Sequence, residues 1–207
     1  MKKNNIFWIG YSDLMTSLFF IMLVLFVVTI GYLQFRKKAT EKQLKKIEEL
    51  QTAVKKLPST YFEYQQQYKR FRLRKEIQFD KGDFNIKSEY TNYLVAVGKS
   101  INSLIDSLNS NVAYKNFDIK YLVIIEGMAS RDNYKKNFEL SYLRALSLYR
   151  LWKSEITDGI IFNPNYCEIQ IAGSGTDGIR EYSDSLEYMN QQFLIQIVPK
   201  MGKISEK

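Results

Sequence analysis

The chain contains no histidine, one cysteine and three prolines among its 207 residues. Without histidine it lacks the commonest general base, the usual Ser-His-Asp hydrolase triads and the imidazole ligands of most zinc sites. The single cysteine, Cys167, permits no intrachain disulfide and provides no cysteine cluster for a metal. The composition therefore predicts a protein that is not an enzyme and that holds no cofactor.

Acidic residues are fewer than basic ones, 22 against 30, which gives a formal net charge of +8. Eight of the basic residues fall within residues 36–56, directly after an apolar stretch, and three glutamates oppose them there. Such a placement is typical of a contact with lipid headgroups or of a solvated helix. We therefore expect no nucleic-acid partner. The alternating arginines and aromatics of residues 68–74 leave single-stranded nucleic acid as a remote alternative.

Charge is almost absent from the apolar stretch Ile6–Phe35, which carries only Asp13. Residues 14–35 are 22 residues without a charge. As a helix they extend about 33 Å, enough to cross a hydrocarbon core of roughly 30 Å. The basic residues 36–38 follow the stretch in place of a small-residue cleavage site, so the pattern favours an uncleaved membrane anchor over a signal peptide.

Asp13 is the candidate functional residue of this anchor. A carboxylate within the membrane costs roughly 2.5–3.5 kcal/mol on insertion scales, so it marks a candidate ion or proton site. No other charge in the stretch can pair with Asp13, so it faces water or has its partner on another chain. Thr16, at i+3, either bonds Asp13 or lines an ion path, or else it bonds its own helix. For Asp13 the alternative role is an interfacial helix N-cap.

The spacing of apolar residues predicts the remaining elements. Residues 40–57 form a helix that ends at Pro58 and is either a solvated connector or a short parallel coiled coil. Residues 58–75 form a linker whose second half alternates like a strand. Strands are predicted at 77–86, 121–126, 167–172 and 193–199, and helices at 90–108 and 138–155. This order predicts an α+β chain, with an α/β sandwich whose helices lie on one side of a mixed sheet.

A pattern of residues after the strand at 121–126 carries a resemblance to a known family. It consists of Glu126-Gly127, then Asn137, Leu140, Ser141, Arg144 and Ala145. Gly173-Ser174-Gly175 and Asn190-Gln191-Gln192-Phe193 follow later. Over residues 77–200 the chain resembles the OmpA-like peptidoglycan-binding domain, whose pattern is Glu-Gly-His-Thr-Asp, Asn-x-x-Leu-Ser-x-x-Arg-Ala, Gly-Tyr-Gly and Asn-Arg-Arg-Val.

The resemblance implies a peptidoglycan-binding site. In that family an Asp and the motif Arg clasp the zwitterionic end of diaminopimelate in the cell-wall stem peptide, and a guanidinium fork suits a carboxylate. Arg144 is expected to bind in this way, with Asn137 beside it. Met128-Ala129-Ser130 replaces His-Thr-Asp, so Asp132 or Ser130 is expected to replace the Asp. The alternative is that Arg144 caps a local carboxylate in a dimerisation or partner-docking module.

The apolar stretch carries a second resemblance, through Trp8, residues 11–16 (YSDLMT) and Phe19-Phe20. It resembles the membrane helix of the MotB family of motor stator subunits, which is related to TolR and ExbD. This implies that Asp13 carries a translocated H⁺ or Na⁺, with Thr16 beside it. It also implies an inner-membrane protein with a cytoplasmic N-terminus and a periplasmic C-terminal domain, although the flanking charges slightly favour the opposite orientation.

Four segments are predicted: a cytoplasmic tip and transmembrane helix (1–35), a connector or plug helix and linker (36–75), an OmpA-like periplasmic domain (76–200) and a tail (201–207). The implied function is a B-type stator subunit of an ion-driven rotary motor, a class that includes Zorya-type anti-phage defence. A dimer of the chain would sit in a pentameric ring of a MotA-, TolQ- or ExbB-like polytopic partner. The alternative is a passive tether between inner membrane and peptidoglycan without ion transport.

Overall fold

The structure is a computed structural model that describes residues 3–112, 119–132, 134–154 and 159–201. The chain divides into two compact units, Met1–Glu49 and Leu50–Lys207. Residue 155, the last of the helix predicted at 138–155, and all but the first residue of the predicted tail lie outside the described residues.

A single helix, α1 (Lys3–Val54, 52 residues), replaces the two helices that the sequence predicts on either side of residues 36–39. No proline occurs before Pro58, so nothing interrupts the backbone hydrogen bonding of the helix. Among the described residues, α1 is the one helix that is long and apolar enough to cross a membrane. Its large apolar side chains between Phe7 and Phe35 are exposed, as lipid-facing residues would be.

The second unit contains one five-stranded mixed sheet. Its strands are β1 (Phe62–Gln65), β2 (Arg70–Leu73), β3 (Ile119–Gly127), β4 (Cys167–Gly173) and β5 (Phe193–Met201). The spatial order is β1-β2-β5-β3-β4. Only β3 and β4 are parallel, and the other neighbours are antiparallel. The mixed sheet and its last three strands are therefore confirmed.

The start of the sheet differs from the prediction. Residues 58–75 are predicted as a linker whose second half alternates like a strand, and β2 lies in that half. The hairpin of β1 with β2 and the pairing of β2 with β5 are not predicted. The sheet thus begins before residue 76. The strand predicted at 77–86 is wrong, since no described residue pairs with this segment. Its alternation arises because Ile77 and Phe79 point into the core from an unpaired extended segment.

Two helices, α2 (Ser88–Ser110) and α3 (Asn137–Lys153), cover one face of the sheet, as predicted. Their buried side chains join a single core with the sheet residues Tyr121, Val123 and Ile125. The Trp152 indole N–H of α3 donates to the Leu94 carbonyl of α2 at 2.8 Å, which ties the two helices together. A short 3-10 helix, Asp184–Asn190, leads into β5.

Candidate functional site

Asp13 and Thr16, the two candidate ion-carrying residues, lie one turn apart on α1. The helix begins at Lys3, more than two turns before Asp13, so Asp13 is not an N-cap. The Thr16 hydroxyl donates to the Ser12 carbonyl at 2.7 Å, the bond to its own helix that the sequence left as the alternative. Its oxygen still has a lone pair available as an acceptor. Both side chains are exposed on the surface of the helix.

Glycines at the ends of β3 and β4 allow α3 to lie directly against the sheet. Gly127 and Gly173 are register partners. A Cβ on Gly127 would lie 2.1 Å from the Ser141 carbonyl oxygen, and one on Gly173 would lie 2.4 Å from the Tyr142 backbone nitrogen. Both neighbours are helix backbone, which cannot move aside without shifting α3. The two glycines therefore fix the depth at which α3 presents its side chains.

The motif residues of α3 share one buried face because they recur at spacings of three and four. They are Asn137, Leu140, Ser141, Arg144 and Ala145. The Ser141 hydroxyl donates to the Phe138 carbonyl at 2.8 Å and accepts the Gly175 N–H at 2.9 Å. It thereby pins the loop after β4 to the first turn of α3. Much of the motif is thus explained by packing, which leaves Arg144 as its one buried charge.

Arg144 is only 2% exposed. Its Nε donates to the Asp83 carbonyl at 3.1 Å and its Nη1 to the Met128 carbonyl at 3.5 Å. Its guanidinium carbon lies 4.5 Å from the centre of the Phe79 ring. Burial lowers the pKa of Arg144 to about 10, against the opposing attraction of Asp132 and Asp83. The side chain is still charged at neutral pH, and no described residue accepts a hydrogen bond from its Nη2.

Asp132 lies near this guanidinium, with its carboxylate held by two hydrogen bonds. Its Oδ1 accepts from the Tyr134 N–H and from the Asn137 side-chain amide, both at 2.9 Å. Partial burial acts to raise the pKa of Asp132, but these bonds and the charges of Lys81 and Arg144 hold it below its usual range. Asn137 therefore orients Asp132. No ion pair at 4 Å or less joins Asp132 to Arg144.

Ser130 is buried, and its hydroxyl oxygen accepts from the Gln191 amide at 2.9 Å. The structure thus pairs Ser130 with the segment before β5. Arg180 holds the same loop, since its Nη2 donates to the Ala129 carbonyl at 2.7 Å and also contacts the Glu187 carboxylate. Glu187 in turn accepts the Arg131 N–H at 2.8 Å. Ser130 and Asp132 therefore occupy a loop that is fixed from both sides.

Sequence reasoning missed three residues of this site. Asp83 contacts Arg144 through its carbonyl, and its carboxylate closes a turn with Asn85. Its signal is the Asp-Lys-Gly-Asp run, in which Gly82 takes a φ of 71° and the Asp83 N–H bonds the Asp80 carbonyl. Nothing in the sequence around Arg180 or Glu187 indicates their role, because the residues that they contact lie about 50 positions earlier in the chain.

The fold and the site define a class: a protein with one apolar helix and an α+β domain in which a buried guanidinium lies near two ionised carboxylates. Such an arrangement offers a positive and a negative charge side by side. Among the described residues no cluster of three or more Cys, Asp or Glu side chains is placed to hold a metal ion.

No family model matches the chain, and no curated protein matches it. It is similar to solved structures. A putative MotB-like protein from Desulfovibrio vulgaris is 14% identical, over 80% of this chain and 96% of its own, at a TM-score of 0.45. The periplasmic domain of Helicobacter pylori MotB is 16% identical, over 62% of this chain and 81% of its own, at a TM-score of 0.40. The cell wall anchor of the T6SS from Pseudomonas aeruginosa is 13% identical, over 65% of this chain and 81% of its own, at a TM-score of 0.39.

Proposed function

We propose that this protein is a stator-type subunit of an ion-driven motor of the inner membrane. Its α+β domain binds peptidoglycan, and Asp13 carries H⁺ or Na⁺. The observation that carries the proposal is Arg144, a charged guanidinium almost fully buried beneath Phe79. Burying a charge without a paired carboxylate is costly, so such a residue is expected to serve a ligand.

The support for wall binding is chemical complementarity. The Nη2 of Arg144 has no hydrogen-bond partner among the described residues and is available to a ligand carboxylate. Asp132, ionised at neutral pH, supplies a negative charge for an ammonium. The end of diaminopimelate in a stem peptide carries both groups. A guanidinium beside a fixed carboxylate therefore suits that end of the molecule better than a simple anion.

The support for ion transport is the position of Asp13. It lies within a helix that is long and apolar enough to cross a membrane, and it is not a cap. A carboxylate there can alternate between protonated and charged forms as water access changes. The proposal includes two copies of this chain in a ring of a MotA-, TolQ- or ExbB-like partner, with the N-terminus cytoplasmic and the α+β domain periplasmic. Anti-phage defence of the Zorya type is one load for such a motor.

Wall binding is tested by sedimenting the full-length protein, in detergent, with purified sacculi. Arg144→Lys keeps the buried charge but removes the guanidinium fork, and we expect it to weaken binding at least tenfold. Arg150→Lys makes the same change on the exposed side of α3 and is the matched control, expected to bind as the wild type. Melting temperatures of both variants report on folding.

Equal binding by the Arg144→Lys variant and the wild type would show that Arg144 does not bind peptidoglycan. Failure of the wild type itself to sediment with sacculi would refute the wall-binding function. That result would favour the alternative, in which the α+β domain is a dimerisation or partner-docking module.

A further inference from the structure

Strand β4 forms an outer edge of the sheet and lacks the proline and lysine residues that usually protect such an edge. The sheet ends at β1 on one side and at β4 on the other. β1 has only four residues, whereas β4 has seven, among them no proline, lysine or arginine. On the outer side of residues 168–173, no described residue pairs with the backbone. A strand edge of this kind is a template for another strand.

The sequence of β4 is self-complementary in one antiparallel register. With Gln170 at the centre, Ile169 lies opposite Ile171 of a second copy, and Glu168 lies opposite Ala172. The β-branched pairs make favourable cross-strand contacts, and no like charges face each other. Both isoleucines are half-buried, so a second strand would cover the part that is still exposed. This register joins two sheets across a two-fold axis.

Helix α3 runs along β4 in the opposite direction and carries exposed aromatic side chains beside this edge. Near its start, the Tyr142 backbone lies against Gly173, the last residue of β4. At its end, Lys153 acts electrostatically on Cys167, the first residue of β4. The side chains of Phe138 and Tyr142 are 51% and 44% exposed. Exposed aromatic residues next to an open strand edge are typical of a protein interface.

A two-fold axis at Gln170 also brings opposite charges together. It reverses the direction of α3 in the second copy, so the start of each helix lies near the end of the other. Glu139 in the first turn and Lys153 in the last turn are exposed, and neither forms an ion pair with a described residue. Such an exposed pair contributes little to stability, but it favours one orientation of association.

We propose that β4 is an interface between two copies of this chain, whose β4 strands pair antiparallel about Gln170 and join the two sheets. A second copy fits this edge because the register of β4, the aromatic residues of α3 and the charges at its ends are all self-complementary. The proposed function includes two copies of the chain, but it assigns no contact between their α+β units. The interface does not depend on whether these units bind peptidoglycan.

Disulfide crosslinking of the full-length protein in detergent tests the register. In the Gln170→Cys variant the two new cysteines face each other with Cα atoms about 5 Å apart, which a disulfide can span. The native Cys167 is buried, and burial raises its pKa to about 11, so it does not compete for oxidation. We expect mild oxidation to convert most of this variant to a dimer that a reducing agent separates.

Glu168→Cys is the matched control, on the same strand and the same face. In the proposed register its two copies lie about 13 Å apart along the strands, beyond the reach of a disulfide. Alone it should stay monomeric on oxidation, but it should crosslink when it is co-expressed with Ala172→Cys. The wild type, whose only cysteine is Cys167, should not crosslink.

The orientation of α3 is tested in the Gln170→Cys background. Lys153→Glu places glutamates of the two copies near each other, and we expect it to slow crosslinking about threefold. Adding Glu139→Lys restores opposite charges and should restore the rate. The melting temperature of each variant reports on folding.

Three outcomes overturn the proposal. Equal crosslinking of Gln170→Cys and Glu168→Cys would mean that the α+β units collide at random. Absence of crosslinking at Gln170→Cys would mean that the β4 strands do not meet, whether light scattering then shows a monomer or a dimer joined elsewhere. A disulfide formed in native membranes only with another protein would mean that the edge is not occupied by a second copy. Sedimentation with sacculi is measured separately, so each of these results leaves the wall-binding function standing.

Discussion

Individual residues of the α+β unit divide into those that fix the backbone and those that present charge. Gly127 and Gly173 admit the α3 backbone, and Ser141 ties α3 to the loop after β4. Arg144, three residues further along the helix, then reaches the Asp83 and Met128 carbonyls. Because the glycines set the depth of the helix, a change at either of them should move Arg144 as well as weaken the fold.

At Gly127 we expect an alanine to lower the unfolding free energy by about 3 kcal/mol, since its Cβ would overlap a helix carbonyl. Gly178→Ala is the matched control. The added Cβ would meet side-chain atoms of Ser174 and Met128, which can rotate away. The substitution should therefore lower the unfolding free energy by less than about 1 kcal/mol. Thermal unfolding of the full-length protein in detergent measures both. Equal melting temperatures for the two variants would contradict the close approach of α3.

At the scale of elements, loops distant in sequence are held to one another by side chains rather than by strands. Arg180 joins the loop after β4 to the loop after β3. Asn190 lies at the end of the 3-10 helix, and its side chain accepts the Glu181 and Tyr182 N–H groups at 3.1 and 3.2 Å. Glu187 links these two sets of contacts through Arg180 and Asn190. The loop that carries Ser130 therefore depends on the segment before β5.

Glu187 makes this loop anchoring pH-dependent. Burial acts to raise the pKa of Glu187, but the hydrogen bonds that its carboxylate accepts from Arg180 and from the Arg131 N–H lower this pKa below its usual range. A carboxyl whose pKa is lower in the folded state contributes stability above its unfolded pKa of about 4.3 and loses it as the pH falls. We expect Glu187→Gln to lower the free energy of unfolding by roughly 2 kcal/mol at pH 7 and by much less near pH 3.

Chemical unfolding of wild type and variant across this pH range measures the difference. Glu139→Gln, on the exposed side of α3, is the control and should have little effect at any pH. A Glu187→Gln deficit that stayed constant from pH 7 to pH 3 would show that the carboxylate charge contributes nothing to the anchoring.

At the scale of the whole molecule, the first unit is a stretch of helix and the second an α+β sandwich with its own core. The helical unit has one carboxylate in its apolar part, Asp13, and the sandwich contains the buried guanidinium of Arg144. Under the proposed function these two residues have separate roles: Asp13 carries an ion, and Arg144 binds peptidoglycan. A passive tether needs only the second, so Asp13 distinguishes the two roles.

We expect Asp13→Asn to abolish ion flux when the full-length protein is reconstituted in vesicles with a polytopic partner of the MotA type. An amide neither takes up a proton nor supplies a charge for Na⁺. Asp13→Glu should retain part of the flux. Glu41→Gln, an exposed carboxylate further along α1 that pairs with Lys37 at 3.8 Å, is the control and should retain all of it. Full flux with Asp13→Asn would show that Asp13 does not carry the ion, and the absence of flux with the wild type would favour the tether.

The sequence by itself determined the apolar span with Asp13, the helices α2 and α3, the last three strands and Arg144 as the charged residue of the motif. These follow from local periodicity and from residue types that recur at fixed spacing. Only the tertiary structure decided that β1 and β2 belong to the sheet, that residues 77–86 remain unpaired, and that Asp83 meets Arg144. The reason is that strand partners and the hydrogen-bond partners of buried side chains come from distant parts of the chain, about which local spacing carries no information.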